Sequence, residues 1–268
     1  MNNSRQLEIE KITDNIRNEI NPIDYGIKDV FEASEKLGYR SIRYPIGEKL
    51  FLGFSLIKDS ERIIFSNSSL ILSREIFTVA HEIGHQELHL SEQGLTLITD
   101  EKIEENNDVE KEAYYFARCL LMPFEKVQKF IRIELQGKSI NNWDGFDIAR
   151  IQTAFNVSFE LVLVRLNELD ILNDNIKNKL SMHKIEITVS KLLNAIGGNP
   201  DLCKATSIKK VPANFLEWVL FNYEQKLISK KALEDALSYI DLKADDFDYP
   251  PEEIEEEESI DDLIRGMN

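Results

Sequence analysis

Cysteine is almost absent: Cys119 and Cys203 are the only two in 268 residues. Two thiols exclude a disulfide framework and a thiolate metal cage, and they suit a reducing compartment. Long apolar runs are missing as well, with nothing approaching the roughly 18–20 consecutive residues of a membrane helix. The polar start Met1-Asn2-Asn3-Ser4-Arg5-Gln6 lacks the apolar core of a secretory signal. These absences set the expectation of a cytoplasmic protein without membrane contact. Positive charge is also short, since 32 Lys and Arg face 48 Asp and Glu for a net −16. Residues 245–268 hold eleven acids against Arg265 alone, which is −10 of that total and leaves −6 for the rest. Neither part has the positive potential that nonspecific binding to phosphate backbones needs. The acidic tail reads as solvated and disordered. No repeat of fixed period is visible.

What is present is an ordinary globular composition, 43% apolar. Leu7, Ile9, Ile12, Ile16 and Ile20 fall mostly at three- and four-residue spacings and predict an amphipathic helix over 5–20, interrupted at Asn21-Pro22. A helix over 27–37 closes at Gly38. Three β-rich runs follow, 41–44, 50–57 and 62–66, the last two joined by a hairpin turn at 58–61; together they predict a small antiparallel sheet. From Ser73, a plausible N-cap, the period changes to a long helix over 74–90. A polar connector, 91–108, leads to a helix over 109–122 that stops at Pro123. The expected architecture is α+β: a small antiparallel sheet with a His-Glu-x-x-His helix, then a helix-turn-helix-like unit and an all-α C-terminal module. The boundaries are 1–138, 139–175, 185–244 and the tail 245–268.

Three of the four histidines lie between His81 and His89, in the run His81-Glu82-Ile83-Gly84-His85. At about 100° and 1.5 Å per residue, a four-residue step puts both imidazoles on one helix face, within reach of one ion. Glu82 projects at another angle, where it can approach water without being a ligand. Zinc hydrolases need this arrangement: the metal acidifies water and polarises a carbonyl while a carboxylate takes the proton. His89 continues the face but stands roughly 12 Å along the axis from His81, too far to share an ion bound at about 2 Å. It suits a supporting or packing role. The third ligand is expected at Glu112, which precedes Phe116 and Leu120 at four-residue spacing and so heads an apolar face; an unpaired acid there would be costly. Glu110 lies on a different face.

The run from Arg74 to His85, with Glu112-Ala113, Phe116-Ala117 and Leu120-Leu121-Met122-Pro123, closely resembles the ImmA/IrrE family of metallopeptidases. Asn21-Pro22-Ile23-Asp24, the strand ending near Asn67, Phe155-Asn156-Val157-Ser158 and Arg165–Leu169 extend the likeness over about 20–172. The resemblance implies zinc at His81, His85 and Glu112, with Glu82 as general base, in an enzyme of restricted specificity. Characterised members cut helix-turn-helix repressors and so derepress mobile-element or stress-response genes. Tyr114 departs from the asparagine that many members carry.

Segment 147–170 has helix-turn-helix form, but Arg150 and Arg165 face Asp147, Glu160, Glu168 and Asp170, a net −2. Direct DNA binding is therefore not expected, and the unit should pack on the peptidase or orient its substrate. The reading is a zinc metalloendopeptidase acting on a helix-turn-helix repressor or similar protein. The alternative is a noncatalytic, antitoxin-like binding module whose zinc site is structural or vestigial.

Overall fold

The computed structural model describes residues 1–20, 22–48, 51–58, 60–90, 97–99 and 108–247. Helix α1 (Asn3–Ile20) buries Ile9, Thr13, Ile16 and Arg17 along one stripe. The buried Arg17 guanidinium donates to the carbonyls of Leu120 (2.7 Å) and Tyr25 (2.8 Å), so its N–H groups stay satisfied away from water. Helix α2 (Val30–Lys36) starts at Asp29, whose carboxylate accepts from the N–H groups of Phe31 and Glu32. It closes before Gly38, which holds the left-handed φ of 84°.

Strands β1 (Arg40–Tyr44), β2 (Gly53–Lys58), β3 (Glu61–Asn67) and β4 (Leu97–Thr99) form one sheet in the order β1-β3-β2-β4. The predicted hairpin joins β2 and β3, with Lys58 opposite Glu61. The sheet is mixed rather than antiparallel, because β1 runs parallel to β3, Ile42 opposite Phe65. A tight turn forces antiparallel pairing on β2 and β3, whereas the longer stretch 45–52 leaves β1 free to approach β3 from its other edge. Strand β4, within the stretch read as a connector, pairs antiparallel with β2.

The outer edge of β1 is covered by residues 204–210. Arg43 and Lys210 exchange backbone hydrogen bonds of 2.8 Å, Ser207 N–H donates to Ser68 O, and the Ser68 hydroxyl donates to Ile208 O at 2.7 Å. The same segment caps helix α3 (Leu72–His85), since Lys204 O accepts from Leu72 N–H at 2.7 Å. The expected N-cap Ser73 lies inside the helix and is buried; the helix starts after Ile71 with no side-chain cap. Beyond His85 the chain continues through a π-helical turn, Gln86–Leu90.

Helix α4 (Asp108–Leu121) packs on α3 and α1, and Pro123 separates it from α5 (Phe124–Ile133). Then come α6 (Gly145–Phe155) and α7 (Phe159–Glu168), two helices over the segment 147–170 for which the sequence suggests a helix-turn-helix form. Asn156 makes the turn in the left-handed region, φ 54°, and the Ser158 hydroxyl accepts from Leu161 N–H to start α7. Their apolar faces, Ile148, Ile151, Phe155, Val162, Leu163 and Leu166, belong to the same core as Val79, Ile83, Phe116 and Leu120. Gly26 lies so close to this turn that a Cβ there would stand 2.5 Å from Phe155 Cα. Arg165 is buried, donating to Met122 O and to Glu168.

Helices α8 (Asp174–Glu186) and α9 (Val189–Ala195) complete this unit, and Leu192, Leu193 and Leu202 join its core. The chain divides into compact units at Pro212, not at the 138, 175 and 185 boundaries drawn from the sequence, because these later helices share one core with the sheet and α3. The second unit begins at Ala213 and holds α10 (Phe215–Glu224) and α11 (Lys230–Ser238) around Val219, Leu233, Leu237 and Ala244. The expected acidic tail beyond 247 lies outside the described residues. No described helix is long and apolar enough to cross a membrane.

Candidate metal centre

Helix α3 buries Glu75, Thr78, His81, Glu82 and His85, and the buried Gln86 follows at the start of the π-helical turn. Such a polar buried face persists only if each group finds a partner. Glu75 meets Arg43 in a two-pronged ion pair, 2.8 Å at each oxygen, and accepts from Ser66 Oγ at 2.9 Å. Gln86 Nε2 donates to the carbonyls of Leu56 and Ile63, both at 3.1 Å, pinning the end of the helix to β2 and β3.

His81 and His85 are one turn apart, as their spacing requires, and their Nε2 atoms lie 2.9 Å from each other. The carboxylate that meets them is Glu110, from the first turn of α4: its Oε2 is 3.1 Å from His81 Nε2 and its Oε1 3.1 Å from His85 Nε2. Among the described residues these three form the group able to hold a metal ion. A tetrahedral ion with bonds of about 2.0–2.1 Å spaces its ligand atoms about 3.3 Å apart. Glu110 Oε1 is buried and makes no hydrogen bond despite its closeness to His85. Two imidazole nitrogens and a carboxylate aimed at one point therefore fit a divalent cation better than they fit each other.

Glu112, which the sequence reading placed here, stands apart. Its Oε2 accepts from Arg5 Nε (3.1 Å) and Nη2 (2.9 Å) and lies 3.4 Å from His89 Nε2. The reason is the closeness of α3 and α4. Gly84 sits against the ring of Phe116, where a Cβ would be 3.0 Å from Cδ1. The row Glu110, Ala113, Ala117 has small side chains after its acid, and both alanines are fully buried. The Phe116–Leu120 row is buried as well, but its leading acid is carried past the histidine pair to α1. In both rows the apolar side chains are fully buried, so the helix period alone does not choose between Glu110 and Glu112.

Electrostatics agree with this grouping. Burial pushes the Glu110 carboxyl upward, but His81 and His85 beside it outweigh that and hold it well below the usual carboxylate range. Burial depresses His85, with His81 adding to the effect and Glu110 opposing it. His89 falls to about 4, through burial and the neighbouring His85, against the pull of Glu112. Neutral imidazole is the form that binds metals.

Glu82 is fully buried one residue beyond His81, and its Oε2 lies 2.5 Å from the Ser55 hydroxyl of β2. The approach leaves no room at Gly53, where a Cβ would meet Thr78 Cγ2 at 2.6 Å, Phe65 O at 2.7 Å and Glu82 Oε1 at 3.3 Å. Tyr115 donates to Glu10 and Arg118 pairs with Glu168, whereas the half-exposed Tyr114 ring lies 4.6 Å from the His81 ring and 5.8 Å from that of Phe77.

Two histidines and a carboxylate on crossed helices, with a second carboxylate next to the first histidine, make the donor set of a metallopeptidase-type site. Residues 24–167 match the Peptidase_M78 family, the IrrE N-terminal-like domain, and the chain belongs to that family. Among curated proteins, none matches it.

Proposed function

We propose that the chain is a zinc-dependent endopeptidase of restricted specificity, with His81, His85 and Glu110 as ligands and Glu82 as general base. The convergence of those three donor groups beside a buried Glu82 carries the reading. A bound zinc supplies a Lewis acid that acidifies water and polarises the scissile carbonyl. The Glu82 carboxylate accepts the proton of the attacking water and returns it to the amine nitrogen as the C–N bond breaks. Ser55 holds that carboxylate in place by donating to Oε2. The Tyr114 ring flanks His81 at 4.6 Å.

The substrate we infer is a helix-turn-helix repressor or a similar regulatory protein in the cytoplasm, a reading supported by the family likeness rather than by a contact. The α6–α7 pair acts within the peptidase unit rather than on DNA, since its apolar faces are in the core and Arg165 is occupied. The test is cleavage of a repressor encoded beside this chain, by wild type and Glu82→Gln, with zinc content measured in both. Cutting by the wild type alone, with zinc in each, supports the proposal. Zinc in both and cutting by neither would make this a binding protein with a structural metal.

A further inference from the structure

We infer that His89, Glu112 and Arg5 form a positioning relay that fixes the ring of His85 toward the metal and ties α1 to the metal centre. The inference rests on the metal reading above and uses the residues that reading leaves over. His85 Nε2 faces the ligand cluster, and its other nitrogen, Nδ1, lies 3.0 Å from His89 Nδ1. Two ring nitrogens this close share one hydrogen, so one ring donates and the other accepts. A ligand at Nε2 needs its lone pair there, which places the His85 proton on Nδ1. His89 Nδ1 then accepts, and the His89 proton sits on Nε2, facing Glu112 Oε2 at 3.4 Å. Glu112 Oε2 also accepts from Arg5 Nε and Nη2. A single placement of protons satisfies every link, and it presents His85 Nε2 as a ligand atom.

Three observations point to positioning rather than simple packing. His89 is fully buried, so its polar edge has no water to turn to. The π-helical turn at Gln86–Leu90, a distortion often found at functional sites, carries His89 into this place. The other ligand histidine lacks such support: His81 Nδ1 is buried without a hydrogen-bond partner among the described residues, and the rings of Tyr114 and Phe77 flank it instead. The relay also ends outside the family match, since Arg5 precedes residue 24. The N-terminal helix therefore adds a support for the metal ligand that the matched segment does not itself contain.

The experiment measures zinc affinity by chelator competition, and the visible spectrum of the cobalt-loaded protein, on the full chain. His89→Ala should weaken zinc binding about 10- to 100-fold, the usual cost of losing an outer partner of a ligand histidine. His89→Gln, whose amide oxygen can accept from His85 Nδ1, should recover part of that loss. Glu112→Ala and Arg5→Ala should cost progressively less, with Arg5→Lys closer to wild type. Because the links act in series, His89→Ala combined with Glu112→Ala should be no weaker than His89→Ala alone. Melting of the metal-free variants separates the roles. Lower melting temperatures with wild-type zinc affinity and cobalt spectra would reduce the chain of contacts to packing, and additive losses in the double variant would overturn the series. A wild type that binds neither metal would remove the metal reading itself, and this proposal with it.

Discussion

Gly84 of α3 rests on the ring of Phe116 in α4, close enough that a methyl group on its Cα would stand 3.0 Å from Cδ1. That contact sets how near the two helices come, and hence whether Glu110 reaches His81 and His85. Phe116 is fully buried and cannot swing aside. Gly84→Val should therefore destabilise the metal-free protein by about 1–3 kcal/mol in urea unfolding, the usual cost of overpacking a core. It should also weaken zinc binding, and unchanged affinity would show that the helix spacing does not govern the site.

Glu110→Gln should lose zinc during gel filtration while retaining its helical circular dichroism. Glu112→Gln should retain zinc under the same conditions. The opposite pattern would return the third ligand to the residue that the sequence favoured.

That pair shows how far the sequence could be read. His81, Glu82 and His85 are legible because a helix fixes their mutual geometry locally, and the structure places all three together in a buried stretch of α3. The third carboxylate depends on where two helices cross, and a helix period alone cannot say which of two buried rows meets the partner. Glu112 heads the row of Phe116 and Leu120, Glu110 the row of Ala113 and Ala117, and all four of these side chains are fully buried. The sheet shows the same limit. The β2–β3 hairpin is written in a tight turn, whereas the parallel pairing of β1 and the addition of β4 arise from contacts between residues far apart in the chain. Helices α6 and α7 are legible as elements, through Asn156 and Ser158, and of the two roles expected for them, packing on the peptidase or orienting its substrate, their apolar faces take the first.

Gly53→Ala should impair catalysis more than metal binding. A methyl group there collides with Thr78 and the Phe65 carbonyl and presses on Glu82 Oε1, but the nearest atoms do not include a histidine. In steady-state cleavage kinetics the expected result is a fall in kcat with zinc content unchanged. A variant that keeps full kcat would show that the β2 backbone does not control Glu82.

Glu75→Ala should leave the Arg43 guanidinium buried opposite nothing of opposite charge. Arg43 and Glu75 are both almost completely shielded, with side-chain exposures of 8% and 0%. Breaking such a pair from one side costs about 3–5 kcal/mol. Denaturant unfolding of the metal-free protein measures it; a loss below about 1 kcal/mol, the range of a surface pair, would show that Arg43 is rescued by water.

Cys119 should resist alkylation in the native protein at neutral pH. Burial pushes its thiol up to about 11, partly offset by Arg165, so little thiolate exists to react. Iodoacetamide labelling read by mass spectrometry should modify Cys203 first, and Cys119 at a comparable rate only after unfolding. Rapid native labelling of Cys119 would mean that the α1–α4 interface opens readily.

Residues 204–210 hold β1 by its backbone and close the first turn of α3 through the Lys204 carbonyl. A fragment trimmed to the family match, ending at 167, would bare the hydrogen-bonding edge of β1, a ready template for strand-to-strand association. It would also release the N-terminal turn of the helix bearing both histidines. Anyone cutting this protein for expression should therefore place the cut after Pro212, because residues remote in sequence from the candidate metal centre complete the framework on which it is built.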